Sequence, residues 1–212
     1  MGTEEKTRRG RPKAVPDGER RRRIVQTAEK LFVRKGYAGT CTSEIASRCR
    51  ISKQTLYRLF PGKIDLFAAV VEAHRLKMID LESSHDDLPL DQALARIFMI
   101  DMNQDDYELR AGFLRTANLE SLHHPQLLAI LRHHGGQKAL DGLAVWLDRQ
   151  CSLGRLVIGD TNQAAHMLLD MFTGAVFLDA LGGFGWTCRE ERIAHFRQCI
   201  DIFLHGALPD GK

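Results

Sequence analysis

No stretch of about 18 apolar residues interrupts the 212-residue chain, so no segment reads as a membrane span. The first residues are charged and hold no apolar core segment, which does not fit a secretory leader. The five cysteines, Cys41, Cys49, Cys151, Cys188 and Cys199, are scattered, and no two stand in C-x-x-C spacing. An odd count without a secretion signal argues for reduced thiols and predicts a cytoplasmic location. Signatures of catalysis are missing too: there is no Gly-rich phosphate loop, no G-x-S-x-G and no H-E-x-x-H. The expectation is a chain that is not an enzyme and needs no cofactor. An enzyme built on the histidines and aspartates of the C-terminal part is the rival class.

Nine histidines invite a metal hypothesis, and His123-His124 and His133-His134 are the densest set. Neighbouring helical residues point about 100° apart, and three turns separate His123 from His134 by ~16 Å. Neither spacing suits chelation, so no metal site is expected. Apolar residues make up 44% of the chain, close to the globular norm of ~45–50%, which excludes a disordered or fibrous protein.

Charge is unevenly spread. Residues 1–63 hold 17 Lys/Arg against 6 Asp/Glu, a net of +11, and residues 64–212 hold 13 against 21, a net of −8. One end suits a polyanion and the other does not, as in a basic binding module joined to an acidic body.

Residues 1–18 read as a disordered basic arm with almost no large apolar side chain. A helical pattern starts at Glu19, with Ile24, Ala28, Leu31 and Phe32 on one face. Arg20 to Arg23 fall in its first turn, where four cations oppose the helix dipole and a nearby polyanion would favour them. Gly36 suits the stop. Thr40 is expected to cap a two-turn helix, and Ser52 a second short helix from Lys53 to Leu59, closed by Pro61-Gly62. Two short helices joined by about three residues form a helix-turn-helix unit, whose second helix enters the DNA major groove. That helix carries suitable chemistry. Lys53 reaches a guanine edge or a phosphate, Gln54 pairs with adenine, Thr55 contacts either, and Tyr57 offers a phenol to a phosphate. Arg58 and Lys63 add cations. The bland alternative is a solvated polar face on a structural helix pair.

The block Gly36-Tyr37-x-x-Thr40, Glu44-Ile45-Ala46, Ile51-Ser52-Lys53-x-Thr55-Leu56-Tyr57-x-x-Phe60-x-x-Lys63-x-x-Leu66 resembles the signature of the tetracycline-repressor (TetR) family. It covers some 45 residues with the first helix included; the rest fits the family only in outline. The resemblance implies an all-α homodimeric transcription regulator of about nine helices. Residues 19–62 would bind operator DNA, and residues 63–212 would bind an effector and dimerise. It also implies DNA contacts at Thr40, Ser43, Ser52, Lys53, Gln54, Thr55, Tyr57, Arg58 and Lys63. Two positions depart from the family pattern. Cys49-Arg50 replaces a small residue followed by Gly, and Arg50 at positive φ would cost about 1 kcal/mol. Thr42 stands where an aliphatic residue is usual, which predicts a weaker core there.

Within the arm, Arg8-Arg9-Gly10-Arg11-Pro12 contains the Arg-Gly-Arg-Pro core of an AT-hook. Arg9 and Arg11 would enter an A·T minor groove, attract phosphate loosely, or stay unengaged.

Further helices are expected over 63–82, 89–102, 105–121, 124–152, 161–181 and 188–206, with Gly135-Gly136 kinking or splitting the fourth. Asp160-x-x-Gln163 and Thr187-x-x-Glu190 resemble capping boxes. The last two helices are apolar enough to pack against their copies in a dimer. His166, Asp170, Thr173 and Phe177 form a second stripe on helix 161–181, which reads as a polar spot in that interface or as part of an effector cavity. Phe98, Met99, Met102, Phe113, Trp146, Met167, Met171 and Phe177 are the candidate soft walls. The function expected is a homodimeric repressor released from a palindromic operator in double-stranded DNA by a small apolar effector. The alternatives are a ligand-independent, co-repressed or activating regulator, and a sequence-neutral chromatin-type binder.

Overall fold

The computed structural model describes residues 16–81, 83, 85–183 and 186–205. Among the described residues there are nine helices and no strand. They are α1 Asp17–Lys35, α2 Thr42–Arg48, α3 Lys53–Leu59, α4 Lys63–Met78, α5 Leu90–Ile97 and α6 Gln104–Ser121. The long α7 joins Pro125–Ile130 to Gln137–Ser152 through a wide π turn, Leu131–Gly136. In α8 a second π turn, Asp170–Gly174, links Thr161–Leu169 to Ala175–Ala180. The chain closes on α9, Arg189–His205. The all-α expectation holds, and the Gly135-Gly136 pair marks the first wide turn.

Several boundaries differ from the sequence reading. α1 begins at Asp17, so residues 17 and 18 are helical rather than part of the arm; the arm's Arg9 and Arg11 lie outside the described residues. Asp17 and Glu19 then fill the first turn and complement the dipole, which moves the arginines inward. Arg20 pairs with Asp17 at 2.9 Å. Arg21 donates to the Leu59 carbonyl at 2.6 Å and stacks over Phe60, and Arg23 donates to the Cys49 carbonyl. Those carbonyls sit at the C-terminal ends of α3 and α2, where helices leave acceptors unsatisfied. Three of the four cations are therefore accounted for inside the protein, without a polyanion. α5 stops at Ile97 because Met99 turns to φ 50°, five residues short of the expected end.

Two cores divide the molecule. The first joins Ile24, Phe32, Ile45, Leu56 and Phe67 to Phe113 of α6 and Leu127 of α7. Leu66, Phe67, Val70 and Val71 of α4 pack in this same core. The second core runs from α5 to α9, where Phe172 stacks between Phe98 at 3.9 Å and Phe196 at 4.9 Å. Asp179, a carboxylate within an apolar stretch, is satisfied by the Tyr107 hydroxyl at 2.9 Å.

Arg50 holds φ 51° in the turn between α2 and α3. Its N–H bonds the Ser47 carbonyl, and the Ile51 N–H reaches back to Ala46 at 3.0 Å. This helix ending favours glycine at the left-handed position. Arg50→Gly should relieve ~1–2 kcal/mol of strain against ~0.4–1 kcal/mol of added unfolded-state entropy. The expected outcome is a net gain of about 0.5–1 kcal/mol, or ~1–4 °C in Tm by calorimetry. A lower Tm would instead mean that the Arg50 side chain itself holds the turn.

Candidate nucleic-acid interface and effector cavity

Ser52 caps α3 as expected, its hydroxyl accepting from the Thr55 N–H at 3.1 Å and bonding the Thr55 hydroxyl at 2.9 Å. Leu56 and Phe60 anchor the helix in the first core. Burying that side turns Lys53, Gln54, Tyr57 and Arg58 outward within an arc of roughly 140°, at about 100° per residue. Ser43 of α2 is exposed nearby in sequence. Lys63 is half-buried, its ammonium 4.3 Å over the Tyr37 ring and 3.4 Å from the Ala38 carbonyl; burial lowers its pKa.

Two contacts organise this face. The Tyr57 phenol lies 3.0 Å from the Thr42 hydroxyl, so the position read as a weakened core instead steadies a recognition-helix side chain. Arg58 grips Asp17 with two nitrogens at 2.8 and 2.9 Å, which ties α3 to the start of α1 and occupies a cation expected to meet DNA. Thr40 is a correction. It is buried, its hydroxyl donates to the Gly36 carbonyl at 2.7 Å, and Cys41 occupies the N-cap of α2.

A buried joint links these helices to the body. Glu29 on α1 is 2% exposed and receives Lys77 at 2.6 Å and His74 Nδ1 at 3.4 Å, both from α4. Burial raises the Glu29 pKa, but the hydrogen bonds and charges of His74 and Lys77 together outweigh it and hold the carboxyl below its ordinary value. Burial lowers the His74 pKa, with Glu29 opposing in part and the charges of Arg110 and Lys77 assisting. The imidazole is therefore neutral at pH 7 and sits 4.5 Å from the Phe113 ring.

His74 also lines a cavity of about 330 Å³ that is walled by α4, α6, α7 and α8 and open to solvent on the side of His166 and Asp170. The size falls at the lower end of small-ligand sites. Both wide turns border it, through Leu131, Arg132, Gly135 and Gly136 of α7 and Asp170 and Thr173 of α8. Such turns recur at functional sites. Of the residues expected at an effector site, the cavity brings together Phe98, Phe113, His166, Asp170 and Thr173. It does not include Met102, Trp146, Met167 or Phe177. Trp146 is buried in the second core, and Met167 is 55% exposed on the outside of α8. Met102 precedes α6, and its carbonyl accepts from Arg189 and Arg192. Phe177 lies beyond the second π turn, whose wider pitch breaks the 166-170-173-177 register.

The polar groups deepest in the wall, His74 and Arg110, were not anticipated. Each sits on an apolar helical stripe, Phe67-Val70-His74-Met78 and Tyr107-Arg110-Phe113-Ala117, and that spacing was the available signal. A larger hollow of about 950 Å³ between α5 and α9 is walled by charged side chains such as Asp91, Arg96, Asp101 and Arg197, and resembles a solvated groove.

Residues 24–70 match the family model of bacterial regulatory proteins of the tetR family, and residues 102–206 match that of the AefR-like transcriptional repressor C-terminal domain. An HTH-type transcriptional repressor of Streptomyces coelicolor, SCO4008, is 31% identical over 135 residues, 64% of this chain and 59% of that protein. The curated relatives are spanned over between 18% and 59% of their own length. A TetR-family transcriptional regulator from Mesorhizobium loti has the same fold, with a TM-score of 0.72 at 24% identity over 92% of this chain and all of that one. SmeT, solved in complex with triclosan, superposes with a TM-score of 0.65 at 22% identity, covering 91% of this chain and 93% of its own. Among the described residues no helix is long and apolar enough to cross a membrane.

The joint carries a pH signature. His74 has its pKa depressed on folding, so the unfolded state binds the extra proton below pH ~6.5 and stability falls as pH drops from there. Glu29, also depressed, contributes stability above its unfolded value that is lost at still lower pH. His74→Gln should flatten the fall in Tm between pH 7.5 and 5. Equal slopes in the two proteins would place the titration elsewhere.

Proposed function

Because the chain belongs to the TetR family of transcriptional regulators, we propose that it is a homodimeric repressor released from a palindromic operator by a small, mainly apolar effector. The observation that carries the reading is the position of α4. This helix follows the recognition helix after a three-residue link, packs on α1, and forms one wall of the ligand-sized cavity.

DNA would meet Lys53, Gln54 and Tyr57 as base-reading or phosphate groups, with Thr55, Ser43, Ser52, Arg58 and Lys63 around them. Arg9 and Arg11 of the arm would add a minor-groove or phosphate contact. Met167, Leu178, Leu181 and Ile202 leave large apolar surface exposed on and beside α8 and α9, which supports a four-helix interface between two copies. In such a dimer the recognition helices must stand about one DNA turn apart, ~34 Å or a multiple. An effector that shifts α4 would change that separation. By linkage it would lower DNA affinity as much as DNA lowers its own affinity. Triclosan on SmeT is an example, in a protein of this fold, of the ligand type the cavity walls suit.

Operator DNA selected with the purified protein tests the reading. Lys53→Ala and Tyr57→Ala should each cost on the order of 1–3 kcal/mol on the selected site. Affinity should fall steeply with salt, and deletion of residues 1–15 should hurt A·T-flanked sites most. Equal affinity for selected and scrambled duplexes at moderate salt would favour a chromatin-type binder. Sedimentation of the whole chain at micromolar concentration should give twice the chain mass. Ligands that stabilise the protein yet leave operator affinity unchanged would favour a ligand-independent regulator, and ligands that tighten binding a co-repressed one.

A further inference from the structure

A buried polar atom without a partner has lost its water and gained nothing in return, so where several such atoms collect, a missing partner is indicated. Among the described residues, five buried side-chain nitrogens lack a hydrogen-bond partner: His74 Nε2, Arg75 Nε, Arg110 Nε, Trp146 Nε1 and Arg192 Nε. Three of the five, those of His74, Arg75 and Arg110, belong to residues lining the α4–α6–α7–α8 cavity.

The three are not equivalent. Arg75 has a counter-ion, Glu72 at 3.1 Å. His74 uses Nδ1 on Glu29, which leaves the Nε2 of the neutral ring as an open acceptor. Arg110 has no counter-ion among the described residues. The residue is 6% exposed, and its guanidinium donates to the Met78 carbonyl at 3.2 Å and to the Met102 sulfur, a weak acceptor, at 3.8 Å. The charge of Arg192 is near enough to disfavour it further. Burial lowers its pKa to about 10, which still leaves it charged at neutral pH. A buried cation is ordinarily found with an anion beside it.

The wall carries no such anion at depth. Its sole carboxylate, Asp170, is exposed. Around Arg110 and His74 the lining is apolar, with Val71, Ile79, Phe98, Phe113, Leu114 and Leu140. Arg132, also in the wall, is exposed, so Arg110 is the unpaired cation at depth, and one buried cation fits one negative charge rather than two.

We infer that this cavity takes an amphiphilic organic monoacid, its carboxylate or phenolate seated on Arg110 and its alkyl or aromatic body against Val71, Phe98 and Phe113. The inference rests on the cavity being the effector site and names the chemistry of what enters it. A charge-assisted hydrogen bond to a buried guanidinium discriminates strongly, because a neutral isostere leaves the charge unmet.

The test uses the full-length protein and matched probes differing only in the head group. These are 4-phenylbutyric acid with 4-phenylbutan-1-ol, octanoic acid with octan-1-ol, and 2,4-dichlorophenol with 2,4-dichloroanisole. Calorimetric titration at a pH that ionises the acid should show it binding at least about tenfold more tightly than its neutral partner in every pair that binds. Arg110→Met should erase that preference while leaving the neutral member within about twofold, and Arg110→Lys should keep most of it. If Arg110→Met fails to fold, the wild-type pairs and Arg110→Lys decide. Neutral members that bind as tightly as the acids, or an acid preference that survives Arg110→Met, would overturn the inference. Neutral members that bind equally well and also release operator DNA would overturn it while leaving the effector-site reading standing. If no probe of either kind binds up to its solubility limit, both fall.

Discussion

A carboxylate drawn out of water between two helices persists only if its oxygens find donors there. Glu29 finds both in α4, in the Lys77 ammonium and the His74 imidazole. The packing of α1 against α4 depends on that arrangement, and so does the relation of the DNA-facing helices to the body. Were α4 to slide along α1, a buried charge would lose its donors, so the two helices move together or not at all. His74 has a second nitrogen, and its ring lines the cavity. One side chain therefore touches both the helix that supports the DNA-facing unit and the space where a ligand would sit. In the proposed reading, His74 is the side chain through which a ligand in the cavity would bear on the α1–α4 joint.

The DNA-facing surface is likewise a product of several helices. α3 has only seven residues, too few to hold a shape alone. Its outward side chains are placed by neighbours: Tyr57 by Thr42 of α2, Arg58 by Asp17 of α1, and its C-terminal carbonyl by Arg21. Thr42 shows why a comparison with a family pattern misleads when read one position at a time. A hydroxyl in place of an aliphatic side chain weakens a core only if it points inward, and here it meets a phenol at the surface.

What the sequence made legible follows from which features have local causes. The helix-turn-helix was readable because a serine cap and a Pro-Gly stop both act within a few residues. Four helix ends share one geometry, a backward bond from Ile51, Ile100, Arg155 or Gly183 to a carbonyl five residues earlier. Two of them place glycine at the left-handed position, Gly154 and Gly182, and those stops can be read. The other two place Arg50 and Met99 there, and only Arg50 stood in a turn that drew attention to it. At Met99 the fold overrides the local preference, and α5 therefore appeared five residues too long. The stripe on α8 failed for a related reason. It presumed 3.6 residues per turn across a segment that winds wider, so it held to Thr173 and missed at Phe177.

His74 and Arg110 were illegible for a different reason. Each is a single polar residue on an apolar stripe, and one such residue is more often a partnered core group than a site. Their meaning lies in being brought together, because the His74 stripe and the Arg110 stripe face each other across the same empty space. No period within either helix records which helix it will face. Energetically the arrangement is a liability to the unliganded fold, since apolar residues in both places would pack better against Phe98 and Phe113. Keeping buried nitrogens unmet lowers the stability of the free protein, and whatever satisfies them restores it by binding the native state alone. A regulator of this kind gains from that asymmetry. Because His74 both lines the cavity and meets Glu29 in the α1–α4 joint, free energy released on filling the cavity would, in the proposed reading, act at the helix that leads to the DNA-facing unit.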